Sequence, residues 1–426
     1  VTAVVSGQAA RVGGADRVLG DAEVREFVGA RLGELDLDGR SVCLLVPDAT
    51  RTCPLPLLVG AVHKALHGRV SRLTVLIALG THGAMSAEAL REHVGVYPDT
   101  TVINHEWWDP ATFADLGTIP SARLEELSDG RMSGDVPVLL NRAVVEHDVA
   151  IVVGPVLPHE VVGMSGGNKY FFPGVAGQQI IDVSHWLGAL ITSAEIIGTT
   201  GLTPVRALIN DGAALIPAQT YAFSVVTAET DVGEDSRLHS VSFGDCIASW
   251  ASAAEISAAT HVTYLEKPVH RVLSIIPAMY DEIWTGAKGF YKVEPVVADG
   301  GEVILYAPHI TEIATSHPQI HEIGYHCRDY FVKQWERFEH IHWGVLAHST
   351  HLRGAGTYDA VTGVEQLRVR VTLATGIPED VCHAVNLGYR DPATIDPAAF
   401  GADPDTMVVP RAGEVLFRLG RGVSRP

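Results

Sequence analysis

"DVAIVVGPVLPHEVVGMSGGNKYFFPG", residues 148–174, opens as one kind of segment and closes as another. Its first half is a short apolar run, rich in β-branched residues and too short for a typical helix. It reads as a buried strand. Its second half sets Lys169 among glycines, aromatics and a proline. Glycines crowding a lysine signal a close approach to the backbone, by a ligand or by the chain itself. Two upstream stretches repeat the strand-then-loop pattern. "SVCLLVP" (41–47) runs into "DATRTCP" and then the helical spacing of "LPLLVGAVHKALHG" (55–68). "RLTVLIALG" (72–80) runs into "THGAMS" and a helix from about Ala87. Strand, polar loop, helix is the repeating unit of a parallel α/β sheet. Ligands of such sheets gather at the carboxyl ends of the strands. The three loops there carry Asp48 and Arg51, His82, and His159 with Lys169, and are expected to converge on one crevice.

A second region of the same character starts near "HRVLSIIPAMYDEIWTGAKGF" (270–290) and continues through "GEVILYAP" (301–308) and "QLRVRVTLATG" (366–376). The expectation is an α/β protein of two α/β domains with the active site in the cleft between them. The first spans 1–265 and the second 266–409. The last strand-like piece, "AGEVLFRL" (412–419), lets a tail of about 410–426 return to the first domain. A chain of 426 residues, 47% hydrophobic, is long for a single core and supports two. No internal repeat stands out.

The formal net charge of −19 argues against general affinity for nucleic acid, which needs a basic surface. An anionic substrate therefore requires a local cationic pocket, which gives weight to individual Arg and Lys residues. With 19% charged residues and a mean hydropathy of +0.18, the chain reads as globular. Five scattered cysteines without a CxxC pair point away from a disulfide framework. No leader-like start and no run of about 18 apolar residues is visible, so a cytoplasmic protein with no membrane partner is expected.

Several motifs fail on inspection. "GMSGGNKY" resembles a phosphate loop, but Asn168 stands where the second glycine belongs and Tyr170 replaces the hydroxyl that holds magnesium. "HEIGYH" spaces His321 and His326 by five residues, not the four that put two zinc ligands on one helix face. His317 and His321 have that spacing, but Pro318 stands at the position of the base. "EHIHWGVLAHSTH" adds His340, His342, His348 and His351, so a zinc-dependent hydrolase remains an alternative. Arg51 in "DATR" offers a planar fork for a carboxylate or phosphate; a salt-bridged turn would use the same residues.

"PDATRTCP" (47–54), "ALGTHGAMS" (78–86) and "PHEVVGMSGGNKYFFPGVAG" (158–177), followed by His185, together resemble the nickel-dependent lactate racemases in order and spacing. The Gly-Gly-x-Lys-x-x-x-Pro-Gly core with a histidine sixteen residues after the lysine is the specific part. The resemblance implies a covalent cofactor on Lys169. This is the nickel-pincer nucleotide, pyridinium-3-thioamide-5-thiocarboxylic acid mononucleotide, built by cofactor-maturation enzymes. Its two sulfurs and a ring carbon hold Ni(II) in a plane, and His185 supplies the fourth ligand; a square-planar site suits Ni(II). Asp48, Thr50, Gly166, Gly167, Pro173 and Gly174 then belong to the cofactor site. His82 and His159 match the two catalytic histidines, while Arg51 and Lys288 match contacts to a small-molecule 2-hydroxy acid.

Racemising such an acid by hydride transfer needs a hydride acceptor and a base together. Inversion needs an acid–base group on each face, and histidine suits that near neutral pH. The chain departs from the lactate enzyme at Thr285, where that enzyme has glutamine, and at Gly83, where it has a bulkier residue. Trp284 precedes Thr285, and the chain brings further polar candidates in His348, Ser349 and His351; together these features predict a substrate larger than lactate, such as a sugar acid. A lactate racemase proper and a non-catalytic cofactor-binding protein are the remaining alternatives.

Overall fold

The computed structural model describes residues 7–228 and 237–420. It divides the chain into two compact units. One holds residues up to Leu157 together with Met164–Ile181 and Arg206–Thr260; the other holds Pro158–Gly163, Asp182–Val205 and the chain from His261.

The first unit is built on a seven-stranded sheet. Its order is Ala10–Gly13, Arg237–Gly244, Gln219–Ala228, Val149–Pro155, Ser41–Pro47, Arg72–Ala78 and Thr100–Asn104. The five strands from Gln219–Ala228 to Thr100–Asn104 run parallel, and the other two add antiparallel at one edge. Ser41–Pro47 and Val149–Pro155 are buried along almost their whole length, as expected for strands covered on both faces. Leu44, Val46, Val75, Ile77, Ile151 and Val153 join one apolar core with Leu55, Leu58, Val59 and Val62 of the helix Leu55–Leu66. The chain order reverses between Ser41–Pro47 and Val149–Pro155. That is a topological switch point, the usual place for a ligand crevice. The loop carrying Asp48 and Arg51 leaves one of these two strands at its carboxyl end, and the next strand outward feeds the loop carrying His82.

The second unit has a five-stranded, all-parallel sheet, ordered Gly388–Tyr389, Arg370–Thr375, Val297–Ala307, Val269–Ile275 and Thr406–Val409. Trp284, Thr285 and Lys288 follow the Val269–Ile275 strand on two single-turn helices, Ile283–Gly286 and Lys288–Tyr291.

Three features differ from the sequence reading. Residues 158–163 and 182–205 group with the second unit although they lie far inside the expected first domain. The strand Leu416–Leu419 pairs in parallel with Val262–Leu265, and both belong to the second unit. Residues 366–376 form parts of two strands, not one. Arg368 interrupts the run, donating to the carbonyls of Val297 at 2.7 Å and Glu294 at 2.8 Å. Among the described residues, no helix is long and apolar enough to cross a membrane, and the five cysteines form no disulfide with one another.

Candidate active site

The loop after Ser41–Pro47 is organised by Asp48. Its Oδ1 accepts from the Thr50 backbone N–H at 3.1 Å and the Thr50 hydroxyl at 2.7 Å, a tight Asx-type turn. That turn aims Oδ2 at His82 Nδ1, 2.5 Å away. Burial of Asp48 opposes its charge, but His82 and then Arg51 override this and hold its carboxyl well below the usual range. A carboxylate on Nδ1 fixes that nitrogen as the donor and leaves Nε2 of a neutral ring as the lone-pair nitrogen. The Trp107 indole N–H donates to the His82 carbonyl at 3.0 Å, which holds the loop from its other side. Asp48 and Thr50, expected at a cofactor, are thus engaged with each other and with His82.

The charged Asp48 has a consequence for stability. A carboxyl depressed in the folded state stabilises the fold above the unfolded value near pH 4, and the contribution drains away as pH falls towards the folded value. Asp48→Asn is expected to flatten the loss of stability between about pH 5 and pH 3. Urea denaturation of both proteins across that range checks it; parallel curves contradict it.

The Lys169 loop is shaped from within. Gly166 and Gly167 have φ of +85° and +58°, in the region glycine favours. A Cβ on Gly166 would fall 2.6 Å from Val156 Cγ2, and one on Gly167 2.8 Å from Trp250 Cβ. The glycine pair therefore serves the chain's own packing, one of the two close approaches that its sequence allowed. A Cβ on Gly174 would fall 2.3 Å from the Tyr170 carbonyl oxygen, and Gly174 N–H donates to the Lys169 carbonyl at 3.2 Å. Pro173 follows a cis peptide bond. Lys169 itself stands half-buried on the single 3-10 turn Gly167–Tyr170. One backbone bond ties this loop to the other: Gly80 N–H donates to the Gly174 carbonyl at 2.9 Å.

Arg206 holds the same loop from behind. Its guanidinium is fully buried, lies 4.2 Å from the Trp250 ring centroid, and donates to the carbonyls of Gly166, at 2.9 Å, and Met164. Burial pulls its pKa down to about 9. Arg206→Leu is expected to destabilise the protein by about 1–3 kcal/mol for each carbonyl left bare; chemical denaturation measures it, and a change near zero rejects the clamp. Nothing in the sequence marks Arg206, because its partners are main-chain oxygens forty residues away.

In the second unit His159 is buried. Its Nδ1 accepts from Val161 N–H at 3.1 Å, with Glu160 Oε2 at 3.6 Å. A backbone donor on Nδ1 places the proton of the neutral ring on Nε2. Burial works against the charge on Glu160, but Lys292, then His351 and Lys288, outweigh it and lower its pKa. Lys292, which donates to the Pro158 carbonyl, and Glu160 were missed in the sequence. The helical spacing of Lys288 and Lys292 and the adjacency of Glu160 to His159 were the available signals.

Lys288 is buried, with Nζ 4.9 Å from the Tyr280 ring centroid. Trp284 is sandwiched between His317 and His348, with centroids at 4.0 and 3.8 Å. Thr285 donates its hydroxyl to the Glu282 carbonyl at 3.2 Å, a use internal to its own turn. His185 stands half-buried on the helix Gln178–Ile191, with Ser184 Oγ 3.4 Å from its Nδ1.

Three of the histidines available to a zinc site are engaged elsewhere. His326 pairs with Glu365 at 2.6 Å, His342 with Asp182 at 3.3 Å, and His348 with two tyrosine hydroxyls. Among the described residues no three His, Cys, Asp or Glu side chains come together as a metal site.

The imidazole–carboxylate pair and the glycine-shaped lysine loop lie beyond strand ends of an α/β sheet, where ligands of such sheets bind. The lactate racemase N-terminal domain family matches residues 26–198. The lactate racemase of Thermoanaerobacterium thermosaccharolyticum is 26% identical over 161 residues, 36% of this chain and 34% of that protein. The lactate racemase of Lactiplantibacillus plantarum is 24% identical over 159 residues, again 36% and 34%. These alignments span about a third of the length of the curated relatives. A crystal structure of a Thermotoga maritima protein matches with a TM-score of 0.88 and 32% identity, covering 96% of this chain and all of that one. The lactate racemase apoprotein of T. thermosaccharolyticum matches in fold, with a TM-score of 0.69 and 17% identity over 93% of each chain. The chain is thus similar to the lactate racemases, through a domain of the lactate racemase N-terminal family at residues 26–198 and through a shared fold.

Proposed function

We propose that this protein is a racemase or epimerase that inverts C2 of a 2-hydroxy acid by hydride transfer, using a nickel-pincer nucleotide attached to Lys169. The observation that carries the reading is the complementary hydrogen bonding of two histidines. His82, with Nδ1 on Asp48, presents a basic Nε2; His159, with Nδ1 on a backbone N–H, presents an Nε2 proton. An inverting enzyme needs one group ready to take the hydroxyl proton and another ready to return one.

The donor set suits the cofactor. A group that brings three of its own donors to nickel asks the protein for one imidazole, and His185 is that residue in this reading. Lys169 sits on a turn whose shape is set by its own glycines and by Arg206, and in this reading its amine carries the cofactor. When bound, the nucleotide supplies the hydride acceptor. His82 takes the hydroxyl proton of one enantiomer as the 2-keto acid forms, and His159 returns a proton for the other. Asp48 stabilises the imidazolium that His82 becomes. Arg51 and Lys288 neutralise the substrate carboxylate.

The substrate in this reading is larger than lactate, such as a sugar acid. A Cβ at Gly83 would meet nothing within 4 Å, so the glycine leaves open space where the lactate enzyme has a side chain. Protein matured with the cofactor-building enzymes should racemise members of a panel of D- and L-2-hydroxy acids. Run in D₂O, the product should keep hydrogen at C2, because hydride returns to the carbon it left. Solvent deuterium at C2 would show proton abstraction and overturn the reading, as would failure to racemise any acid.

A further inference from the structure

We propose that His351 binds a hydroxyl group of the substrate beyond C2, and so selects 2-hydroxy acids that carry a further hydroxyl. The inference rests on the function proposed above and gives its substrate class a residue. His351 is 3% exposed, yet neither Nδ1 nor Nε2 has a hydrogen-bond partner among the described residues. Buried polar atoms are nearly always paired, so two bare nitrogens on one ring call for an occupant.

The helix Trp343–Arg353 makes the contrast sharp. His348, Ser349 and His351 lie on it, all buried. His348 Nδ1 meets the Tyr291 hydroxyl at 3.1 Å and its Nε2 the Tyr325 hydroxyl at 3.3 Å. Ser349 donates to the Gly324 carbonyl at 2.8 Å and accepts from His326 N–H at 3.0 Å. Both are satisfied by the protein. His351 faces the edge of the Tyr291 ring, with centroids 6.0 Å apart, and lies within electrostatic range of Glu160 and His185. It therefore sits with the neighbour of His159 and with the residue assigned to nickel, within the same unit.

The chemistry selects the ligand. A neutral imidazole offers one donor and one acceptor. A hydroxyl group offers both in return. A carboxylate can use only the donor, and a methyl or methylene group can use neither. A pocket with such a residue rejects the analogue lacking the hydroxyl, since the imidazole would then stay unpaired.

The test compares 2-hydroxybutanoate, 2,3-dihydroxybutanoate and 2,4-dihydroxybutanoate, which differ by single hydroxyls. Turnover and calorimetric binding are measured on cofactor-loaded wild type, His351→Phe and His351→Gln. Wild type is expected to favour one dihydroxy acid by about 10²-fold or more in kcat/KM. His351→Phe should lose most of that ratio, and His351→Gln, which keeps a donor and an acceptor, should retain part of it. A wild-type preference below about tenfold overturns the proposal whether or not His351→Phe folds, as does a preference that survives His351→Phe. Binding separates the two readings. If no acid is racemised but the binding preference falls in His351→Phe, the catalytic reading fails and the hydroxyl site stands. If racemisation proceeds without any preference, the hydroxyl site fails and the catalytic reading stands.

Discussion

Lys169→Ala, produced alongside the cofactor-building enzymes, should emerge with the mass of the bare polypeptide and racemise nothing above background, while wild type gains a covalent adduct. Lys169 is half-buried, and the turn that carries it is held by main-chain bonds and by Arg206. Its replacement should therefore leave stability within about 1 kcal/mol of wild type. Loss of the adduct without loss of the fold separates attachment from folding. An adduct that persists in Lys169→Ala, or a wild type that never gains one, removes Lys169 as the anchor. His185→Ala should behave differently, keeping the adduct mass while retaining less nickel by metal analysis.

The second large effect is expected at the histidines. His82→Ala and His159→Ala should each lower racemisation by about 10²–10⁴-fold, the usual cost of losing a general acid–base group. Their partial reactions should differ in hand. With one base removed, each variant should still oxidise one enantiomer to bound 2-keto acid in a single turnover, and the two variants should retain opposite enantiomers. Asp48→Asn should fall in the same direction as His82→Ala but by less, because His82 stays while its tautomer is no longer fixed. Racemisation near the wild-type rate in either alanine variant would end the two-base assignment. The same retained enantiomer in both would end the assignment of one histidine to each face.

The parallel strands were readable because they are continuous apolar runs that stop at polar loops. Ser41–Pro47 and Arg72–Ala78 show it plainly, and the carboxyl-end placement of Asp48 and His82 followed. Gln219–Ala228 and Arg237–Gly244 escaped notice. They mix serine and threonine with apolar residues, and the second joins antiparallel, outside the strand–loop–helix unit being sought. The membership of residues 158–163 and 182–205 in the second unit is a tertiary fact with no local signal. At the candidate site, His82, His159, Lys169 and His185 were picked out by the resemblance of their motifs to those of the lactate racemases. Hydrogen-bond state was not legible. No spacing shows that Asp48 serves His82, that Gly166 and Gly167 make room for Val156 and Trp250, or that His348 is satisfied while His351 is not.

The backbone bond from Gly80 to Gly174 bears on how this chain can be re-engineered. It joins the loop carrying His82 to the loop carrying Lys169, main chain to main chain, so exchanging side chains at positions other than the glycines themselves leaves its donor and acceptor in place. Changes of length do not. One residue added between Ala78 and His82, or between Lys169 and Gly174, shifts one end of the bond and drags the other loop out of register. Grafts from relatives should therefore carry the two loops together.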